Sequence, residues 1–160
     1  KDVDIFFDIT EKEALLTYIL PFNAENIVLA DINGDKKLEL ILTNSTDIYI
    51  CKKDVDLSVE FKIKLSSMEE ILWLDAADID QDGIDEIFIT TITDNKDNVF
   101  SYIYKIKGNT IKTLWKTKGF LRVINGEIFY QEYSSMYGYK GNIKKVLYDY
   151  DKGNFWIRTD

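Results

Sequence analysis

The chain has 160 residues and 18.7 kDa, enough for one ordinary domain with a real core. Its 28 Asp plus Glu outweigh 20 Lys plus Arg, so the net charge is −8 and the pI about 4.6, a sign that repels phosphates and argues against an electrostatic nucleic-acid binder. Histidine is absent, which removes Ser-His and Cys-His nucleophile pairs, imidazole acid–base chemistry and most catalytic zinc sites.

Taken in chain order, the first ambiguity is Thr10-Glu-Lys-Glu13, which has the spacing of a helix capping box ahead of Ala14-Leu-Leu. A strand over Ala14–Leu20 competes with it and is the preferred reading. Beyond Pro21, the only proline, the pattern is β-rich: Ile27–Ile32, Leu38–Thr43, Ile48–Cys51 and Val59–Leu65. In the last, Val59, Phe61, Ile63 and Leu65 alternate with Glu60, Lys62 and Lys64, which predicts a half-buried strand. Cys51 alternates with Tyr49 and reads as a packed thiol; as the single cysteine it forms no internal disulfide. A second series follows at Ile71–Leu74, Ile87–Ile92, Val99–Ile106 and Thr110–Trp115. Its turns, Asp94–Asn98 and Lys107–Asn109, are rich in residues that tolerate positive φ. The last third reads Leu121–Ile124, Glu127–Gln131, Lys145–Tyr148 and Phe155–Arg158, with Asp151–Asn154 as a hairpin turn. Ser134–Gly141 reads as a loop that exposes aromatics. Short strands at this spacing, with 46% hydrophobic residues and no linker, predict one ordered all-β unit. No apolar run approaches the roughly 18 residues of a membrane span. No signal peptide is visible, and a start at Lys1 rather than Met leaves room for a leader outside this sequence.

Two segments superimpose at an offset of 47 residues, Ile27–Leu42 and Leu74–Ile89. Each is strand, acidic loop, strand, and such a period is a signature of propellers and solenoids. Counting from the first acid, oxygen side chains stand at positions 1, 3, 5 and 9. These are Asp31, Asn33, Asp35 and Glu39 in one loop, and Asp78, Asp80, Asp82 and Glu86 in the other. Alternate residues of a curled loop converge on one centre, and the backbone carbonyls of Lys37 and Ile84 at position 7 can add an oxygen. Such hard ligands suit Ca²⁺, which takes roughly 6–8 of them. An EF-hand is rejected because position 12 holds Leu42 and Ile89 instead of Glu, between strands instead of helices. Seven of the 28 acids stand at these positions, so without them the chain would be nearly neutral. Carboxylates that close repel unless a cation or protons neutralise them. The second loop has Gly83 at position 6, where the first has Lys36, and is expected to bind the tighter of up to two Ca²⁺ ions.

These residues, Asp31-Ile-Asn-Gly-Asp…Glu39-Leu and Asp78-Ile-Asp-Gln-Asp-Gly…Glu86-Ile, resemble the FG-GAP/VCBS repeat family, the β-propeller blades also found in integrin α-subunit heads. The resemblance implies four-stranded antiparallel blades with a calcium loop between the first and second strands. Repeats would lie near residues 27–65 and 71–116. A degenerate blade at 120–160 is similar to the closing portion of bacterial VCBS-repeat envelope proteins. That last part has no metal loop, because Asp149-Tyr-Asp-Lys-Gly153 is followed at position 9 by Ile157. Propellers have about 4–8 blades, and two and a half to three are present, so the expectation is a segment of a larger propeller. The function expected is a non-enzymatic, calcium-braced scaffold or interaction surface in the periplasm, at the cell surface or outside the cell. Its partner would be a protein or a carbohydrate. The alternative is the propeller portion of a carbohydrate-active enzyme. The tyrosines of the C-terminal third (Tyr130, Tyr133, Tyr137, Tyr139, Tyr148 and Tyr150) read first as strand fillers and second as a contact surface.

Overall fold

The computed structural model describes residues 3–7, 16–20, 24–53, 57–65, 68–108 and 110–159. Fourteen strands are present: β1 (Val3–Phe7), β2 (Leu16–Leu20), β3 (Asn26–Ala30), β4 (Glu39–Thr43), β5 (Asp47–Lys53), β6 (Leu57–Lys64), β7 (Glu69–Ala77), β8 (Glu86–Thr93), β9 (Val99–Lys107), β10 (Thr110–Lys118), β11 (Phe120–Ile124), β12 (Glu127–Ser134), β13 (Gly138–Asp149) and β14 (Asn154–Ile157). A β1–β2 pair precedes three four-stranded sheets, each an antiparallel meander of consecutive strands: β3–β6, β7–β10 and β11–β14. The fold is therefore all-β with four-stranded antiparallel sheets, and no closed ring forms among the described residues. The capping-box reading of Thr10–Glu13 lies outside the described residues, while Leu16–Leu20 is strand.

Period-two patterning stacks the sheets. In the middle sheet, Ile87 and Ile89 of β8 face the first sheet and join Ile41, Ile48 and Ile50 in one core. Phe88, between them, faces the third sheet and joins Leu121, Ile128 and Val146 in a second core. A strand buried on both faces needs apolar residues at every step, which is why Ile87-Phe-Ile is continuous rather than alternating. Each such side chain contributes about 1.5–3 kcal/mol on full burial.

The first strands of the sheets run against one another, β3 on β7 and β7 on β11. Polar pins cross between them: Val123 N–H donates to Asp75 Oδ2 at 2.9 Å. Ser101 Oγ donates to Gly119 O at 2.8 Å, accepts from Leu121 N–H at 3.0 Å and shares a hydrogen bond with Thr90 Oγ1. Gly119 is the single residue between β10 and β11. Its φ is +123°, and a Cβ there would lie 2.6 Å from the Tyr130 ring and 2.7 Å from the Gln131 carbonyl oxygen.

Two expectations need correction. Val59 does not share the buried face of Ile63 and Leu65: the β5–β6 register shifts between Ile50 and Cys51, and the extra residue turns Val59 outward. Ser134–Gly141 is not an open loop, because β12 and β13 zip together through Tyr133↔Tyr139 and Ser134↔Gly138, leaving only residues 135–137 as a turn. That tip does expose Met136 and Tyr137. The other tyrosines divide, with Tyr130 buried and Tyr139 and Tyr150 exposed.

Candidate metal centre in the paired acidic loops

The acidic segments connect β3 to β4 and β7 to β8, and Glu39 and Glu86 are the first residues of the strands that follow. Both loops are built by the same bonds. Glu39 Oε2 accepts the Ile32 amide at 3.2 Å, as Glu86 Oε2 accepts that of Ile79 at 2.9 Å. Asp31 Oδ2 accepts the Lys36 amide at 2.7 Å, as Asp78 Oδ2 accepts that of Gly83 at 2.9 Å. Asp35 and Asp82 each accept the amide at position 7, from Lys37 and Ile84. Asn33 Oδ1 and Asp80 Oδ1 each accept the amide at position 5. Short Asp and Asn side chains suit positions 1, 3 and 5 because each reaches a backbone N–H only two to five residues on.

The curl places positions 4 and 6 of both loops at positive φ. Gly34 (+78°) and Lys36 (+65°) stand there in the first, Gln81 (+60°) and Gly83 (+84°) in the second. Each loop therefore has one glycine and one residue with a Cβ in the left-handed region. The advantage expected for the second loop from Gly83 is offset by Gln81.

The loops differ in electrostatics. Asp78, Asp80 and Glu86 each bring a carboxylate oxygen within 4.8 Å of the others, a group that can hold a metal ion, and it is the one such trio among the described residues. Lys105 of β9 reaches into it. Its Nζ donates to Asp80 Oδ2 at 2.8 Å, Asp82 Oδ2 at 2.6 Å and Glu86 Oε1 at 2.7 Å. Lys105 is only 4% exposed. Burial by itself would pull its pKa down, but the bonds to Asp80, Asp82 and Glu86 outweigh that and hold it above the usual lysine value. Partial burial raises Asp82, yet the Lys105 ammonium and the Ile84 amide bring it below the ordinary carboxylate range.

In the first loop, no ion pair among the described residues reaches Asp31, Asp35 or Glu39. Asn33 Nδ2 donates to Glu39 Oε1 at 3.1 Å. Burial holds Glu39 above the ordinary value; the Ile32 amide opposes this, and the nearby Asp35 and Asp31 charges add to it. The Asp31, Asn33, Asp35 and Glu39 oxygens are of the type that suits a hard divalent cation, and no ion pair among the described residues engages them. In the second loop the same kind of set already surrounds a cation belonging to the chain.

The two loops also grip each other. Asp85 N–H donates to Asp31 O at 2.7 Å, and Asp31 N–H donates to Asp85 Oδ2 at 2.8 Å. Ile84 packs so closely that a Cβ on Gly34 would lie 3.2 Å from its Cγ1. Residues 22–89 match the family model of the FG-GAP-like repeat. The match runs through both acidic loops and ends within β8 of the middle sheet. No curated protein matched the sequence. An FG-GAP-like repeat suggests a β-propeller interaction module.

Lys105 and Asp85 are the residues that sequence reasoning missed. The signal for Lys105 was a charged residue inside the strand Tyr104-Lys-Ile106, flanked by side chains that a buried strand requires. For Asp85 it was an acid at position 8, where the first loop has Leu38.

Proposed function

We propose that this chain is a blade segment of an FG-GAP-type β-propeller, close to the bacterial VCBS-repeat proteins, that serves as a calcium-braced, non-enzymatic surface for a protein or carbohydrate partner. The observation that carries this reading is the set of four matching hydrogen bonds, at positions 1, 3, 5 and 9, by which the oxygen side chains of both loops hold their backbones. In the first loop Asp31, Asn33, Asp35, Glu39 and the Lys37 carbonyl are the calcium ligands. The equivalent second set, Asp78, Asp80, Asp82, Glu86 and the Ile84 carbonyl, shares its oxygens with Lys105. The ion would neutralise the first-loop charge and thereby brace the β3–β4 connection and the loop docked on it. Calcium loops of extracellular modules work at about 10⁻⁴–10⁻³ M, a range that suits a role in the periplasm, at the cell surface or outside the cell. The exposed tip at Met136 and Tyr137 is the contact surface, since aromatics are enriched where partners bind.

The test is thermal unfolding of the whole chain in calcium and in chelator. An ion bound only by the folded state, at a hundredfold excess over Kd, stabilises by about 2.7 kcal/mol. Chelator should lower the melting temperature of the native sequence and leave Asp35→Ala unmoved. Equal melting temperatures with and without calcium would reject the reading.

A further inference from the structure

We propose that Lys105 is the second loop's own cation. Its ammonium holds the position that a divalent ion would take, so this loop is closed by the chain itself and stays free of metal. An ammonium has three N–H donors, and all three are matched here, to Asp80 Oδ2, Asp82 Oδ2 and Glu86 Oε1 at 2.6–2.8 Å. These are three of the side chains that a calcium ion would need as ligands. With Lys105 among them, a divalent ion would meet both a positive charge and oxygens already committed.

Strand register offers a lysine to both loops. One step past the Ile87↔Tyr104 pair, Lys105 stands opposite Glu86. One step past Leu40↔Cys51, Lys52 stands opposite Glu39 in the first sheet. The lysine side chains nevertheless part company: Lys52 is 51% exposed and pairs with Glu60 at 2.7 Å, whereas the Lys105 side chain is 6% exposed. The β5–β6 and β9–β10 pairings shift register at matching places, beside Lys52 and beside Lys105, so the partners of the two side chains and not the ladder separate the loops. The third sheet adds cover over the second loop, where Tyr150 Oη donates to the Ile79 carbonyl at 3.3 Å. A divalent ion that took the carboxylates from Lys105 would leave a buried ammonium without partners, and an uncompensated buried charge is strongly unfavourable.

This inference rests on the calcium reading only for the kind of ion that the loop would otherwise take. Two arms test it on the whole chain, with Ca²⁺ as the probe. Equilibrium dialysis should show one more bound ion in Lys105→Met than in the native sequence, lost again when Asp82→Ala is added. In the native protein, the Lys105 ammonium resonance followed by ¹H–¹⁵N NMR should not move in millimolar calcium, an arm that does not depend on the variant folding. The idea is overturned if Lys105→Met gains no ion, if Asp82→Ala costs the native protein an ion, or if calcium shifts the ammonium resonance. Loss of the native protein's ion in Asp35→Ala reports on the first loop alone, so failure of the calcium reading and failure of the Lys105 assignment give different results.

Discussion

Lys36 and Gln81 occupy φ values of +65° and +60° with no glycine to relieve them. A Cβ in the left-handed region meets the following carbonyl, and in helical geometry this costs roughly 1–2 kcal/mol per residue. The loops tolerate it because the amides at positions 6 and 7 must turn inward to reach Asp31 and Asp35, or Asp78 and Asp82. Lys36→Gly and Gln81→Gly should each stabilise the chain by about 0.5–1 kcal/mol, part of the relief being offset by the greater freedom of glycine in the unfolded state. Urea denaturation with an unchanged m-value is the measurement. A midpoint that stays put or falls would show that the Lys36 or Gln81 side chain contributes more than its backbone strain costs.

Between elements, the polar pins matter as much as the apolar cores. Gly119 leaves no room for a side chain between β10 and β11, since the Tyr130 ring and the Gln131 carbonyl already occupy the space. Its own carbonyl and amide hold Ser101 and Val99. Gly119→Ala should therefore cost more than about 2 kcal/mol, through strain and the forced parting of β10–β11 from β12. Denaturant melts read the loss, and near-UV circular dichroism should change with it, because Trp115 stacks on Phe155 across the same interface at a centroid distance of 5.8 Å. A change below 0.5 kcal/mol, the usual range for an indifferent surface substitution, would show that the interface adjusts freely.

For the molecule as a whole, alkaline pH should be destabilising. Burial, with the Glu60 charge adding, pushes the Cys51 thiol from an ordinary 9.0 to about 11. Burial also raises Tyr102 and Tyr104 well above the usual phenol range, with Glu69 contributing at both and Tyr102 adding to Tyr104. Above pH 9 the unfolded thiol loses its proton while the folded one keeps it, so the unfolded state binds fewer protons and stability falls as pH rises. Each group contributes at most about 1.4 kcal/mol per pH unit while the two states differ. Stability should decline from pH 9 and more steeply past pH 10, where unfolded phenols ionise. Cys51→Ala should remove the first part of the decline, as followed by urea midpoints across pH. A flat profile to pH 11 would contradict this assignment.

Much of this was legible from local pattern. Strand period, turn chemistry and the 47-residue spacing of the acidic loops are properties of neighbouring residues, and they suffice for an all-β chain of repeated sheets with oxygen-lined bends. Glu39 and Glu86 at position 9 could be read because each is bonded within its own loop, to the Ile32 and Ile79 amides. What local pattern could not supply was anything carried by register between strands. The outward turn of Val59 depends on one extra residue opposite Ile50 and Cys51. The zipped hairpin at Ser134 depends on Tyr133 meeting Tyr139. Asp85 acts on a residue 54 positions away, and Lys105 enters a loop 19 to 25 positions upstream. Chain composition sets how many acids crowd a bend, but the tertiary structure sets which ammonium reaches them, because a side chain's charge acts on whatever the fold brings within a few ångströms.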